Sequence, residues 1–101
     1  MTITKGQFEW DSVKDSKNLK KHGISFEEAI TVFDDPNAIE FYDEEHSTDE
    51  EDRYICLGDV GNCLIVFVIY TDKLGKVRIV SARAAERPEK EVYYEYLKRT
   101  H

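Results

Sequence analysis

The chain has 101 residues, 41% of them hydrophobic and 35% charged, with a formal net charge of −7 at neutral pH. That length supports one domain with a modest core, the balance is that of an ordinary soluble globule, and no run reaches membrane-spanning length. The amino terminus lacks the layout of a signal peptide, so a cytoplasmic location with no membrane association is expected.

An acidic chain is a poor unspecific binder of nucleic acid, but its charge is unevenly placed. Glu40 to Asp52 holds eight acids and no Lys or Arg; removing these eight from the 21 leaves 13 acids against 14 bases. From Lys73 onward eight bases face four acids. The chain therefore reads as near-neutral with one acidic loop and a basic end. Cys56 and Cys63 lack CxxC spacing and read as buried small hydrophobes rather than a disulfide or zinc pair.

Phe8-Glu9-Trp10 opens as a short strand. Asp11 is a plausible N-cap for a polar helix over Ser12–His22, anchored by Val13 and Leu19, with Gly23 as its left-handed C-cap. His22 falls in the last turn, where the helix dipole favours its protonated form. Ser25 and Glu28 form a capping box for a helix over Ser25–Phe33, whose apolar stripe is Phe26, Ala29, Ile30 and Phe33. Asp34-Asp35-Pro36-Asn37 ends it in a turn, and Ala38–Tyr42 follows as a strand.

Asp43–Asp52 reads as a solvated, mobile loop. It fails as an EF-hand, because Thr48 stands at its sixth position and Tyr54 at its twelfth, where a glycine and a glutamate are needed. No other metal set or cofactor motif is evident, and none is expected.

Three strands follow, Arg53–Gly58, Cys63–Tyr70 and Lys76–Ala82, joined by turn-forming tetrapeptides. Four-residue loops would pair Gly58 with Cys63 and Thr71 with Lys76. One face would then carry Ile55, Leu57, Leu64, Val66, Val68, Tyr70, Val77 and Ile79 under the helices. The other would carry Tyr54, Cys56, Ile65, Phe67, Ile69, Arg78, Val80 and Ala82, partly covered by a last helix from Pro88 to about Arg99. That register puts Arg53 and Arg78 on opposite faces. The expected fold is α+β, a twisted, mainly antiparallel sheet with two N-terminal helices and one C-terminal helix. Arg78, Arg83 and Arg87 gather where the sheet meets this last helix, a junction suited to an anion because arginine presents a permanently charged fork of donors.

Phe8-Glu9-Trp10-Asp11, the run Asn18-Leu19-Lys20-Lys21-His22-Gly23-Ile24-Ser25-Phe26-Glu27-Glu28-Ala29, and Val32-Phe33-Asp34-Asp35-Pro36 resemble the amino half of BrnT-type toxins. Glu51-Asp52-Arg53-Tyr54 and Arg78-Ile79-Val80-Ser81-Ala82-Arg83 resemble the carboxyl half, so the likeness covers nearly the whole chain as a single domain, 1–101. The resemblance implies a RelE-like fold and a growth-inhibiting ribonuclease of a type II toxin–antitoxin pair. It also implies a BrnA-like antitoxin partner, through whose DNA-binding part the complex would reach DNA only indirectly.

Metal-independent cleavage of RNA by its own 2′-hydroxyl needs proton transfer and stabilisation of phosphorane charge. Arg78 and Arg83 suit the charge, His22 the proton transfer, and Arg53 either the scissile phosphate or an ion pair with Glu51. Tyr54, Ile65, Phe67 and Val80 are the expected antitoxin-binding residues. The competing class is a non-catalytic interaction module whose arginines and second sheet face serve only a protein partner. Convergence of His22, Arg78 and Arg83 on one cleft would separate the two.

Overall fold

A computed structural model describes residues 1–100. It has six strands and three helices: β1 (Thr2–Lys5), β2 (Phe8–Asp11), α1 (Ser12–His22), α2 (Phe26–Ala29) running into a 3-10 segment (Ile30–Asp34), β3 (Ile39–Tyr42), β4 (Tyr54–Asp59), β5 (Ile65–Lys73), β6 (Lys76–Ala84) and α3 (Arg87–Thr100). The strands form one sheet in the order β1-β2-β6-β5-β4-β3, antiparallel except where β2 meets β6. The α+β class and the placing of the helices along the chain are as the sequence predicts.

The local signals at α1 and α2 act as expected. Asp11 accepts a hydrogen bond from the Lys14 N–H, and Gly23 takes a left-handed φ of 74° with its N–H on the Leu19 carbonyl. Ser25 Oγ caps the Glu28 N–H at 3.1 Å. The second helix departs from its prediction after one turn, tightening to 3-10 geometry at Ile30. Val32, outside the predicted stripe, is thereby fully buried, while Phe33 is only partly so. The tightened segment lies on Gly58, where a Cβ would come within 3.1 Å of Val32 Cβ and the Val32 carbonyl oxygen. A side chain there would have to push Val32 and Ala38 back by a few tenths of an ångström, so glycine eases the close approach of β4.

The anchors predicted for α1 are corrected. Val13 and Leu19 are about half exposed, and the buried residue is Asn18. Its side-chain amide donates to the carbonyls of Ile24 (3.0 Å) and Ala82 (2.7 Å), and its oxygen accepts from the Ala82 N–H (3.1 Å). β2 runs beside β6 only at Val77 and Arg78, so the upper flank of β6 lacks a strand. Asn18 supplies there the donor and acceptor that a backbone would have provided.

Both hairpin registers differ from expectation. Left-handed backbone at Gly61, Asn62 and Cys63 makes the first loop five residues long, pairing Asp59 with Ile65. An odd change in register turns β4 over relative to β5. Tyr54 and Cys56 therefore face the core with Val66, Val68 and Tyr70, and Ile55 and Leu57 face the other way. Leu74 and Gly75, both at positive φ, close the second hairpin in two residues, with Lys73 opposite Lys76. A bulge then inserts Val80, since Tyr70 pairs with Ile79 but Ile69 with Ser81. Ala82 consequently joins the core, and Ser81 and Arg83 move to the second face.

The main core comprises Trp10, Ile24, Phe26, Ala29, Val32 and the inward residues of β4–β6. A smaller cluster of Leu57, Ile65, Ala85 and Tyr93 lies under α3 on the second face. Cys56 is buried, which pushes its thiol up to about 12, whereas Cys63 is exposed in the loop, contrary to expectation. The acidic segment is more structured than a solvated loop. Asp43 is buried, bonds His46 Nδ1 at 2.8 Å, and Ser47 Oγ ties the Asp43 carbonyl to the Arg53 N–H.

Asn18→Asp keeps the shape of the side chain and removes its two donors, leaving the Ile24 and Ala82 carbonyls facing a carboxylate. It should destabilise the protein by about 2–4 kcal/mol in urea unfolding. A loss below about 0.5 kcal/mol would show that Asn18 is not an essential tie.

Candidate active site

The second face of the sheet carries the three candidate arginines. The Asp43 N–H bonds the Arg53 carbonyl at 2.8 Å, so the β3–β4 ladder continues through Arg53. Extending the β4–β5 register by one residue sets Arg53 opposite Thr71, which pairs with Arg78, which in turn lies beside Glu9 of β2. Arg53 and Arg78 thus share a face, reversing the sequence-based expectation, at two strand spacings of about 5 Å each. Arg83 stands on the same face, about 15 Å further along β6 at the usual rise per residue.

Each of these arginines has a glutamate. Arg78 Nη1 meets Glu9 Oε2 at 2.6 Å, and Arg53 Nε meets Glu51 Oε1 at 3.1 Å. Arg83 grips both oxygens of Glu89 at 2.8 Å and lies 4.1 Å from the centroid of the Phe67 ring. Glu89 also accepts the Glu86 N–H at the start of α3, so one carboxylate caps the helix and holds the arginine. The Arg83 hydrogen bond, outweighing partial burial, holds the Glu89 carboxyl below the usual range, and the same bond raises Arg83.

Asp35 performs a similar joining role at the other end of the second cluster. It accepts from the Tyr93 hydroxyl (2.6 Å), the Asp59 N–H (2.9 Å) and the Asn37 N–H (2.9 Å). Burial opposes its ionisation, but these donors together keep its carboxyl below the usual range.

His22 ends α1 in an exposed position, and among the described residues no hydrogen bond or ion pair joins it to Arg53, Arg78 or Arg83. The expected antitoxin-binding set is also divided. Ile65 is fully buried and Tyr54 faces the core side, which leaves Phe67 and Val80 partly exposed. The hairpin register turned Tyr54 over, whereas Ile65 keeps its expected face and is buried there beneath α3. Glu9 and Glu89 were missed as arginine partners. Glu89 was legible in principle, because Glu86-Arg87-Pro88-Glu89 has capping-box spacing; Glu9 depends on a parallel pairing across nearly 70 residues.

The class defined by this architecture is a small α+β domain with an open, arginine-bearing sheet face, and among the described residues no helix is long and apolar enough to cross a membrane. A family model described as "Ribonuclease toxin, BrnT, of type II toxin-antitoxin system" matches residues 10–89, and the chain belongs to that family. Its fold is similar to the crystal structure of the Brucella abortus ribonuclease toxin BrnT, with a TM-score of 0.60 and 23% identity over 77% of this chain and 94% of that one. No curated protein matches the chain.

Two carboxylates with depressed pKa values stabilise the fold only while ionised. Their contribution is complete above the unfolded-state range near pH 4 and is lost as pH falls through their lower folded values. The urea midpoint should be flat from about pH 7 to 5 and fall below about pH 4. Glu89→Ala, which removes the cap and the Arg83 partner, should lower stability at pH 7 by about 1–2 kcal/mol and make the acid decline shallower. An unchanged acid profile in that variant would remove Glu89 from the account.

Proposed function

We propose that the protein is an endoribonuclease toxin cleaving RNA without a metal ion, through attack of the 2′-oxygen on the adjacent phosphorus. The observation carrying this reading is the row Arg53, Thr71, Arg78 and Glu9 across four adjacent strands of one open face. In the reaction a bond forms between the 2′-oxygen and phosphorus while the bond to the 5′-oxygen breaks, giving a 2′,3′-cyclic phosphate and a 5′-hydroxyl. Glu9, hydrogen-bonded to Arg78, receives the 2′-hydroxyl proton. Arg78 and Arg53 stabilise the dianionic phosphorane, and a guanidinium does so at any physiological pH because it does not titrate there. Arg83, on the Phe67 ring, engages the RNA further along the face. The departing 5′-oxygen takes its proton from solvent, because His22, exposed at the end of α1, stands apart from this row and does not converge with Arg78 and Arg83 on one cleft.

The partner in this reading is a BrnA-like antitoxin that covers the face in the cytoplasm, and contact with DNA comes only through that complex. A second reading is favoured by one specific feature. All three arginines are already neutralised by glutamates, which suits an interaction module as well as an enzyme at rest.

The two readings diverge in an assay of purified protein on RNA. Arg78→Ala should lower cleavage by about 30- to 1000-fold, the equivalent of roughly 2–4 kcal/mol of charge stabilisation, with little change in urea stability. Arg78→Lys should restore only part of the rate. A substrate with every 2′-hydroxyl replaced by hydrogen should remain intact. Its cleavage, or loss of activity in EDTA, would overturn the mechanism. A wild type that binds antitoxin tightly but never cleaves RNA would establish the interaction module instead.

A further inference from the structure

β3 is one of the two outer strands of the sheet, and its free edge is bordered by two different cavities. Since the Asp43 N–H bonds the Arg53 carbonyl, alternation along the antiparallel ladder makes Phe41–Ile55 and Ile39–Leu57 the hydrogen-bonded pairs. The N–H and C=O groups of Glu40 and Tyr42 then point outward, away from β4. This is an unpaired template for another strand.

On the second face, Ile39 and Phe41 combine with Val92 and Tyr96 of α3 to line a mainly apolar groove of about 530 Å³, with Glu91, Glu95 and Arg99 also in its wall. On the core face, beyond the helices, Glu40, Tyr42, Tyr54, Tyr70 and Asp72 line a pocket of about 430 Å³. Tyr54 has Tyr42 and Tyr70 on either side, each at 5.8 Å between ring centroids. The Tyr70 hydroxyl donates to Glu40 and the Tyr42 hydroxyl to Asp52. Among the described residues, Glu40, Asp52 and Asp72 have no ion pair with any cationic side chain, in contrast to the three paired arginines. Aromatic faces beside unpaired carboxylates form a receptor for a guanidinium or ammonium group.

We propose that β3 is the docking edge for an extended segment of a protein partner in which basic and apolar residues alternate. Such a segment would add a seventh strand. Its successive side chains would fall alternately into the apolar groove beside Phe41 and the acidic aromatic pocket beside Tyr42, matching the period of two along a strand. The charge of the pocket excludes RNA as the occupant and selects a basic peptide. Resting on the proposed function, the segment belongs to the antitoxin.

The test is amide hydrogen exchange by NMR on the ¹⁵N-labelled full chain. One probe is the blocked heptapeptide Arg-Val-Arg-Val-Arg-Val-Arg; the other has Glu in place of each Arg. The basic peptide should protect the Glu40 and Tyr42 amides at least tenfold, and the acidic one should leave them unprotected. Glu40→Gln combined with Asp72→Asn, both at exposed positions, should weaken the basic peptide at least tenfold. Equal binding of the two peptides, or protection confined to other strands, would overturn the proposal. The same amides are then followed in the complex with the antitoxin. Tight antitoxin binding that leaves Glu40 and Tyr42 unprotected would refute this edge as the antitoxin site and leave the toxin reading intact. Basic-peptide protection with no antitoxin binding would support the edge and count against the toxin reading.

Discussion

One buried side-chain amide holds the halves of this molecule together. Asn18 sits on a helix with little apolar surface of its own, yet it satisfies both backbone groups of Ala82 and the carbonyl of Ile24. Without it, the upper flank of β6 would present an unpaired donor and acceptor inside the protein, each an unfavourable state of about 1–3 kcal/mol. With it, α1 is fixed against the sheet and the turn after Gly23 is set. Phe26, whose N–H bonds Asp15 of α1 at 2.8 Å, is then delivered into the core. The bulge at Val80 belongs to the same arrangement, because it turns Ala82 toward Asn18 and Arg83 toward the open face.

The sequence was legible wherever a local rule decides the outcome. Asp11, Gly23 and Ser25 are caps because of what their own atoms do to neighbouring amides, and each stands where expected. The apolar runs of β4, β5 and β6 were equally plain. What failed was register. A five-residue loop replaced one of four, and an inserted Val80 shifted the top of β6; each is one residue, and each turns a strand over. That small error put Ile55 in the core instead of Cys56 and separated Arg53 from Arg78; Ile65, on its expected face, is buried because α3 covers more of that face than the sequence suggested. β1 was missed although Thr2-Ile3-Thr4 is rich in β-branched residues and Gly6 supplies the turn at a φ of 62°. Asn18 was overlooked because a polar residue on a polar helix looks solvated until a partner 64 residues away is known.

The electrostatics divide the surface into two regimes that net charge hides. On one face, arginines and glutamates occur as pairs, so the local charge is near zero and a phosphate must compete with a carboxylate for the guanidinium. At the β3 end, carboxylates remain without cations beside a stack of tyrosines. The excess negative charge thus falls mainly at the β3 end, where the acidic edge attracts a basic chain.

The single parallel contact in the sheet has a consequence for biosynthesis. β2 is made early but finds its neighbour only in β6, with Phe8 against Val77 and Glu9 against Arg78. A ribosome extends a chain from the amino end, so β2 must wait, unpaired on that side, until some 70 further residues have emerged. Glu9 and Arg78 meet only at that moment. The Glu9–Arg78 pair therefore cannot form until β6 has left the exit tunnel, whereas β3, β4 and β5 are free to pair before it.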